Sequence, residues 1–192
     1  MNQPQPEAVA IGASAGALDA LSQLLSALPK DFPLALMVVV HRPASRDSML
    51  TELLGARCRI AVREAEDKEP IRPATAYFAP ADYHLLVEAD KRLSLSSEEP
   101  VNYSRPAIDL LLSSAAEAYG AALIGMVLTG ASSDGAQGLR AVEDAGGTAL
   151  VQRPDTAYAP NMPRAALDAC VGARALTLSE LASYLLEVAP AS

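Results

Sequence analysis

The sequence predicts an α/β fold: a doubly wound, mostly parallel sheet flanked by helices, with a small β-hairpin insertion. Three observations carry that expectation. Apolar runs of strand length alternate with leucines at helical spacing. The longest runs, Leu34–Val40 and Ala121–Leu128, are continuous rather than alternating, as strands covered on both faces are. A group of short strand-like pieces interrupts the rhythm in the middle of the chain.

From the N-terminus, Ala8–Ile11 reads as a short buried strand ended by Gly12. Leu18, Leu21, Leu24, Leu25 and Leu28 recur at helical spacing, and Pro29 closes that helix. Leu34–Val40 is the second core strand, followed by a helix over Ser48–Leu54. Ile60–Val62, Ala74–Ala79, Leu85–Glu88 and Leu93–Ser96 read together as one β-rich insertion, with Asp90-Lys91 at a hairpin turn. Pro106–Tyr119 is helical, with Pro106 near its start, where a missing N–H is tolerated. Ala121–Leu128 is the next strand and Gly135–Ala145 the next helix. Thr148–Val151, a helix near Pro163–Ala169, a strand at Val171–Ala175 and a helix from Ser179 complete the pattern. No repeat, low-complexity tract or linker is visible, so residues 1–192 are expected to form one domain.

Composition narrows the function. The 192 residues are 51% hydrophobic and 20% charged, an ordinary globular balance. A net charge of −8 and the lack of any basic run speak against a nucleic-acid partner, because phosphate backbones are bound by clustered Lys and Arg. Cys58 and Cys170 belong to no CxxC pair, which suggests neither a disulfide framework nor a zinc site and suits a reducing compartment. Met1–Glu7 has no Lys or Arg and so lacks the charged start of a secretory signal. The apolar runs fall short of the roughly 20 residues a bilayer requires. The expectation is a cytoplasmic protein without membrane insertion, metal or organic cofactor.

Ligands of open α/β sheets bind beyond the carboxyl ends of the strands. The residue after each buried run is therefore where chemistry is sought. The first run leads into Gly12-Ala13-Ser14-Ala15-Gly16, a G-x-S-x-G between strand and helix, whose glycines permit a sharp turn that presents the hydroxyl. The second ends in His41, and the third leads through Leu128-Thr129-Gly130 to Asp134-Gly135. A serine hydroxyl is a weak nucleophile until a histidine takes its proton, and the histidine needs a carboxylate to fix its tautomer. Three strand ends supply those three groups. Each also has a plain structural reading: Ser14 and Asp134 as caps of the helices that follow them, His41 as a hydrogen-bonded strand-end histidine.

At these residues the sequence resembles the catalytic domain of the chemotaxis protein-glutamate methylesterases (CheB-type). The resemblance rests on Ile11–Ala17, His41-Arg42-Pro43, Glu64-Ala65-Glu66-Asp67, Ala76-Tyr77-Phe78-Ala79-Pro80 and Asp82-Tyr83-His84. It continues through Val101-Asn102-Tyr103-Ser104-Arg105-Pro106 with Asp109, Leu128-Thr129-Gly130 with Asp134-Gly135-Ala136, and Met162-Pro163-Arg164-Ala165. It implies an enzyme that removes methyl groups from glutamate methyl esters on methyl-accepting chemotaxis receptors, releasing methanol, and that deamidates selected receptor glutamines. The family's nucleophile, base and orienting acid fall on Ser14, His41 and Asp134, and its oxyanion donors on the backbone N–H groups near Ala15 and Ala131. Arg105, His84 and Met162 are candidates for the substrate cleft; for Arg105 a surface salt bridge, and for His84 a structural or rim place, are the alternatives. The chain departs from the family's usual residues at Ala15, Ala17, Ala131, Ser132 and Asn161. With the first strand expected by residue 8, no receiver domain of the kind such enzymes normally carry is expected within residues 1–192, as in a stand-alone enzyme or one whose receiver has been cut away.

Three rivals are weighed beside this reading. Thr129-Gly130-Ala131-Ser132-Ser133 is similar to the opening of a short-chain dehydrogenase glycine motif, but Asp134 stands where the next glycine belongs, the segment lies late in the chain, and no tyrosine is followed by lysine four positions later. The other two are a catalytically idle binding module on the same fold and a carboxylesterase for another substrate.

Overall fold

The computed structural model describes residues 4–41 and 49–189. Arg42, Pro43 and Ser48, as well as the first three residues of the N-terminal stretch, lie outside the described residues. Strand β1 (Ala8–Ala13) is the centre of the main sheet. On one side stand β2 (Ala35–Val40), then the fourth strand in chain order, β4 (Thr75–Phe78), and at the edge β3 (Ala61–Glu64). On the other side stand β7 (Leu123–Val127), β8 (Thr148–Gln152) and β9 (Arg174–Leu176). Every neighbouring pair is parallel. A separate antiparallel hairpin joins β5 (His84–Val87) to β6 (Leu93–Ser96).

Alternation along β1 divides the interior into two cores. Val9, Ile11 and Ala13 pack with leucines of α1 (Ala17–Ser26), α2 (Met49–Gly55) and α6 (Leu178–Val188). Ala8 and Ala10 face the opposite way, into a core with α3 (Ile108–Tyr119), α4 (Ala136–Asp144) and α5 (Asn161–Ala169). Leu85, Val87 and Leu93 of the hairpin join that second core. Three helices on each face make the fold doubly wound, as expected. Each fully buried Leu, Ile or Val contributes about 1.5–3 kcal/mol, so sheet burial rather than helix propensity holds the layers together.

Several boundaries differ from the expectation. β3 and β4 do not belong to a β-rich insertion; they extend the parallel sheet, with Leu36, Met37 and Val38 of β2 paired to Ala76, Tyr77 and Phe78. Four-residue apolar pieces carry no signal of strand direction, and only β5 and β6 form the hairpin. Gly12 does not end β1 but lies within it, because a Cβ there would meet Ile108 Cγ2 at 2.2 Å. β7 starts at Leu123, after a single 3-10 turn over Gly120–Ala122. β9 starts at Arg174, and Val171 is exposed ahead of it. α6 starts one residue earlier than expected because Thr177 caps it: its hydroxyl accepts from Glu180 N–H at 3.2 Å, and its own N–H donates to the Glu180 carboxylate at 2.7 Å.

From β1 the chain passes to β2 and out to the edge strand β3, comes back to β4 between them, then returns to the other side of β1 and winds outward through β7, β8 and β9. The reversal places a crevice at the carboxyl ends of β2, β1 and β7.

Candidate active site

Ser14 follows the last residue of β1, and its N–H donates to Thr129 O at 2.9 Å, tying the turn to the end of β7. The turn then passes through Gly16 at φ 83°, where a Cβ would also meet Tyr158 Cβ at 2.7 Å. A side chain there would pay both for left-handed backbone and for that contact. No side chain caps α1, which removes the plain reading of Ser14 as its cap.

His41 follows the last residue of β2, and its N–H donates to Ala13 O at 3.1 Å. Because Ala13 pairs with Val40, the next residues, Ser14 and His41, are neighbours along the sheet edge. His41 Nε2 lies 2.7 Å from Asp134 Oδ2, with the imidazole mostly buried and the carboxylate wholly so. An ionised carboxylate only accepts hydrogen bonds, so Nε2 carries the hydrogen and Nδ1 keeps the lone pair.

Asp134 is not the cap of the helix that follows it. Oδ2 also accepts from Ile108 N–H at 2.7 Å, while Oδ1 accepts from Asp109 N–H at 3.0 Å and Asn102 Nδ2 at 2.8 Å. The carboxylate therefore caps α3 across the site. Burial alone would push its pKa up; the hydrogen bonds from His41, Ile108, Asp109 and Asn102 outweigh that and hold it below the ordinary aspartate value.

Thr129, buried at the end of β7, fastens the two loops. Its hydroxyl donates to Ala15 O at 2.8 Å and accepts from Ala159 N–H at 2.9 Å, and its N–H donates to the buried Gln152 Oε1 at 2.9 Å. Asn161 Nδ2 donates to Ala131 O at 3.2 Å. The N–H groups of Ala15 and Ala131 donate to no acceptor among the described residues.

The three candidates for the substrate cleft each have a definite place. His84 is fully buried and spoken for: Nδ1 accepts from Ala107 N–H at 3.1 Å, and Nε2 donates to Glu99 O at 3.0 Å. It braces the hairpin against the start of α3. Arg105 makes a salt bridge to Asp82 and donates to the carbonyls of Ser97 and Glu98, so its guanidinium fastens loops. Met162 is buried beneath the loop after β7, its N–H donating to Gly130 O at 3.0 Å. Asn102 and Asp109 enter the sequence reading only within the resemblance, and Thr129 also as part of a strand end and of the rival glycine motif; none of the three is given a role there. An acid in a helix's first turn and an asparagine in a loop are too ordinary to signal one.

Among the described residues no group of three or more His, Cys, Asp or Glu side chains is placed to hold a metal ion. No helix among them is long and apolar enough to cross a membrane.

A doubly wound sheet that brings Ser, His and Asp to its topological switch point has the layout of a serine hydrolase. The family model for CheB methylesterase matches residues 9–185, and the chain belongs to that family. It is 43% identical over 182 residues to the "Putative protein-glutamate methylesterase/protein-glutamine glutaminase" of Leptospira interrogans serogroup Icterohaemorrhagiae serovar copenhageni (strain Fiocruz L1-130), covering 95% of this chain and 94% of that one. It is 35% identical to the protein-glutamate methylesterase/protein-glutamine glutaminase of Maricaulis maris (strain MCS10), covering 94% of this chain but 46% of that one. The crystal structure of the Thermotoga maritima CheB methylesterase catalytic domain superposes with a TM-score of 0.89 at 31% identity, over 96% of this chain and 99% of that one.

Proposed function

We propose that this chain hydrolyses glutamate methyl esters on chemoreceptors in the cytoplasm, with Ser14 as nucleophile, His41 as general base and Asp134 as the acid that orients it. The observation that carries the reading is the 2.7 Å contact between His41 Nε2 and Asp134 Oδ2, on a sheet edge where Ser14 is the neighbour of His41. Family membership and the names of the relatives support the substrate. Two unpaired cysteines, Cys58 and Cys170, suit a reducing compartment.

His41 Nδ1 takes the Ser14 proton as the hydroxyl oxygen attacks the ester carbonyl. The N–H groups of Ala15 and Ala131 stabilise the oxyanion, each accounting for about 10²–10³ in rate. The imidazolium returns its proton to the departing methoxide, which leaves as methanol. Water then repeats the sequence on the acyl-enzyme and frees the glutamate. The same attack on a glutamine side chain releases ammonia, in keeping with the second half of the relatives' names.

Methanol release from methylated receptor, comparing the native chain with Ser14→Ala, tests the reading. Loss of the nucleophile is expected to cost about 10⁶ in kcat. Undiminished release from the variant would overturn the assignment of Ser14, and no release from the folded native chain would overturn the substrate.

A further inference from the structure

Two helices that begin at the site exchange their N-terminal caps. No side chain caps α3 from its own cap position, Ala107; its Ile108 and Asp109 N–H groups donate to Asp134 instead, at 2.7 and 3.0 Å. No side chain caps α4 from Gly135; the Gly135 and Gly138 N–H groups donate to Asp109 Oδ1, at 3.0 and 2.7 Å. Each carboxylate thus satisfies the orphan donors of the other's helix. Asn102 joins the two, its single amide nitrogen donating to Asp109 Oδ2 at 2.7 Å and to Asp134 Oδ1 at 2.8 Å. It does so from left-handed backbone at φ 53°. Asparagine tolerates that conformation better than most residues, yet it still costs free energy, and such cost persists where the surroundings over-determine it.

We propose that Asn102 and Asp109 are positioning residues of the Ser14–His41–Asp134 relay, holding the Asp134 carboxylate so that Oδ2 faces His41 Nε2. The inference rests on the catalytic reading given above. Its physical content is the repulsion between two neighbouring carboxylates. The amide hydrogens shared between them, with four N–H groups at two helix starts, offset that repulsion and fix the plane of each carboxylate. Asp134 itself donates its N–H to Ser132 Oγ at 3.2 Å. Among the described residues, the titratable groups that face its carboxylate are His41, from the end of β2, and Asp109, from α3. Without the amide, Asp134 Oδ1 loses a donor and faces Asp109 unshielded, so the carboxylate turns away from His41 and takes up a proton more readily.

Asn102→Gly is the sharpest test, because glycine keeps the left-handed backbone and deletes only the amide. On methylated receptor, kcat is expected to fall about tenfold to a hundredfold with KM unchanged, the effect of one hydrogen bond to a charged group. The stability that Asp134 lends while it is ionised is expected to be lost about one pH unit higher than in the native chain, read from urea midpoints between pH 7 and 3. Asn102→Asp keeps the side-chain size but adds a third carboxylate, and is expected to move that loss further in the same direction. Native kcat and a native acid loss of stability in Asn102→Gly would overturn the proposal. Should that variant fail to melt cooperatively, an unchanged acid loss in Asn102→Asp would do so. The rate at which a fluorophosphonate labels Ser14 is a readout that needs no receptor: slower labelling in the variants supports the positioning role even if the native chain turns over no receptor, an outcome that would count against the substrate alone.

Discussion

Replacing Asp134 by asparagine puts an NH₂ where both oxygens only accept. Oδ2 receives His41 Nε2 and Ile108 N–H, each at 2.7 Å; Oδ1 receives Asn102 Nδ2 at 2.8 Å and Asp109 N–H at 3.0 Å. Whichever oxygen is replaced, two donors then face a donor. In one orientation His41 must present a lone pair at Nε2, which moves its hydrogen to Nδ1 and spoils it as a base for Ser14. In the other, Asn102 and the start of α3 lose their acceptor. Two hydrogen bonds to a buried charge at about 1.5–3 kcal/mol each give a loss of about 3–6 kcal/mol, or on the order of 10 °C in Tm for a domain of this size. Turnover is expected to fall by about 10⁴, the scale on which a serine relay depends on its carboxylate. The pH dependence has a definite sign. The folded carboxyl is held below its ordinary value, so the stability it adds is complete above about pH 4 and is lost as the pH falls through the lower folded value. Asparagine has no such titration, so the gap between the two proteins narrows in acid. Urea midpoints at pH 7, 5, 4 and 3, with methanol release at pH 7, measure both. Equal midpoints at pH 7, or a gap that stays constant to pH 3, would refute the reasoning.

Two further substitutions separate the nucleophile turn from the scaffold. Gly16→Ala places a side chain at φ 83° against Tyr158, and is expected to cost about 1–2 kcal/mol from backbone strain alone, before Tyr158 yields; a thermal melt and the fluorophosphonate labelling rate of Ser14 check it, and native values in both would show that the turn has other ways to form. His84→Phe strips partners from Ala107 N–H and Glu99 O, and is expected to destabilise by about 2–6 kcal/mol while the folded fraction keeps native kcat; a native melt with lost turnover would instead place His84 in the chemistry.

The doubly wound sheet was legible because a strand buried on both faces writes itself as an unbroken apolar run, as Leu34–Val40 does. The places of Ser14 and His41 at the sheet edge follow from the same logic, since each comes directly after a buried strand and parallel strands align their carboxyl ends. What the sequence hides is whatever long-range contact decides. The direction of β3 and β4 depends on pairing with β2, not on four residues of their own. Gly12 reads as a terminator, although its real reason is Ile108, far along the chain. Asp134 reads as a cap for the helix next to it, yet its hydrogen bonds go to α3, and the acid that caps α4 is Asp109. Arg105 and His84 each carry two readings in the sequence, a cleft place and a plain structural one, and only long-range contacts separate them: their donors and acceptors are taken up by loop carbonyls, Asp82 and the main chain at Ala107.

The crossed caps give Asp134 two employers. A descendant of this chain that stopped cleaving esters would still need an acceptor for the first turn of α3, and shedding the aspartate would loosen the wall of its own crevice. Ser14 is bound by no comparable side-chain tie to another described residue and is free to drift once the chemistry is abandoned. Among sequences of this kind the aspartate is therefore poor testimony to a working enzyme, and the serine is the better witness.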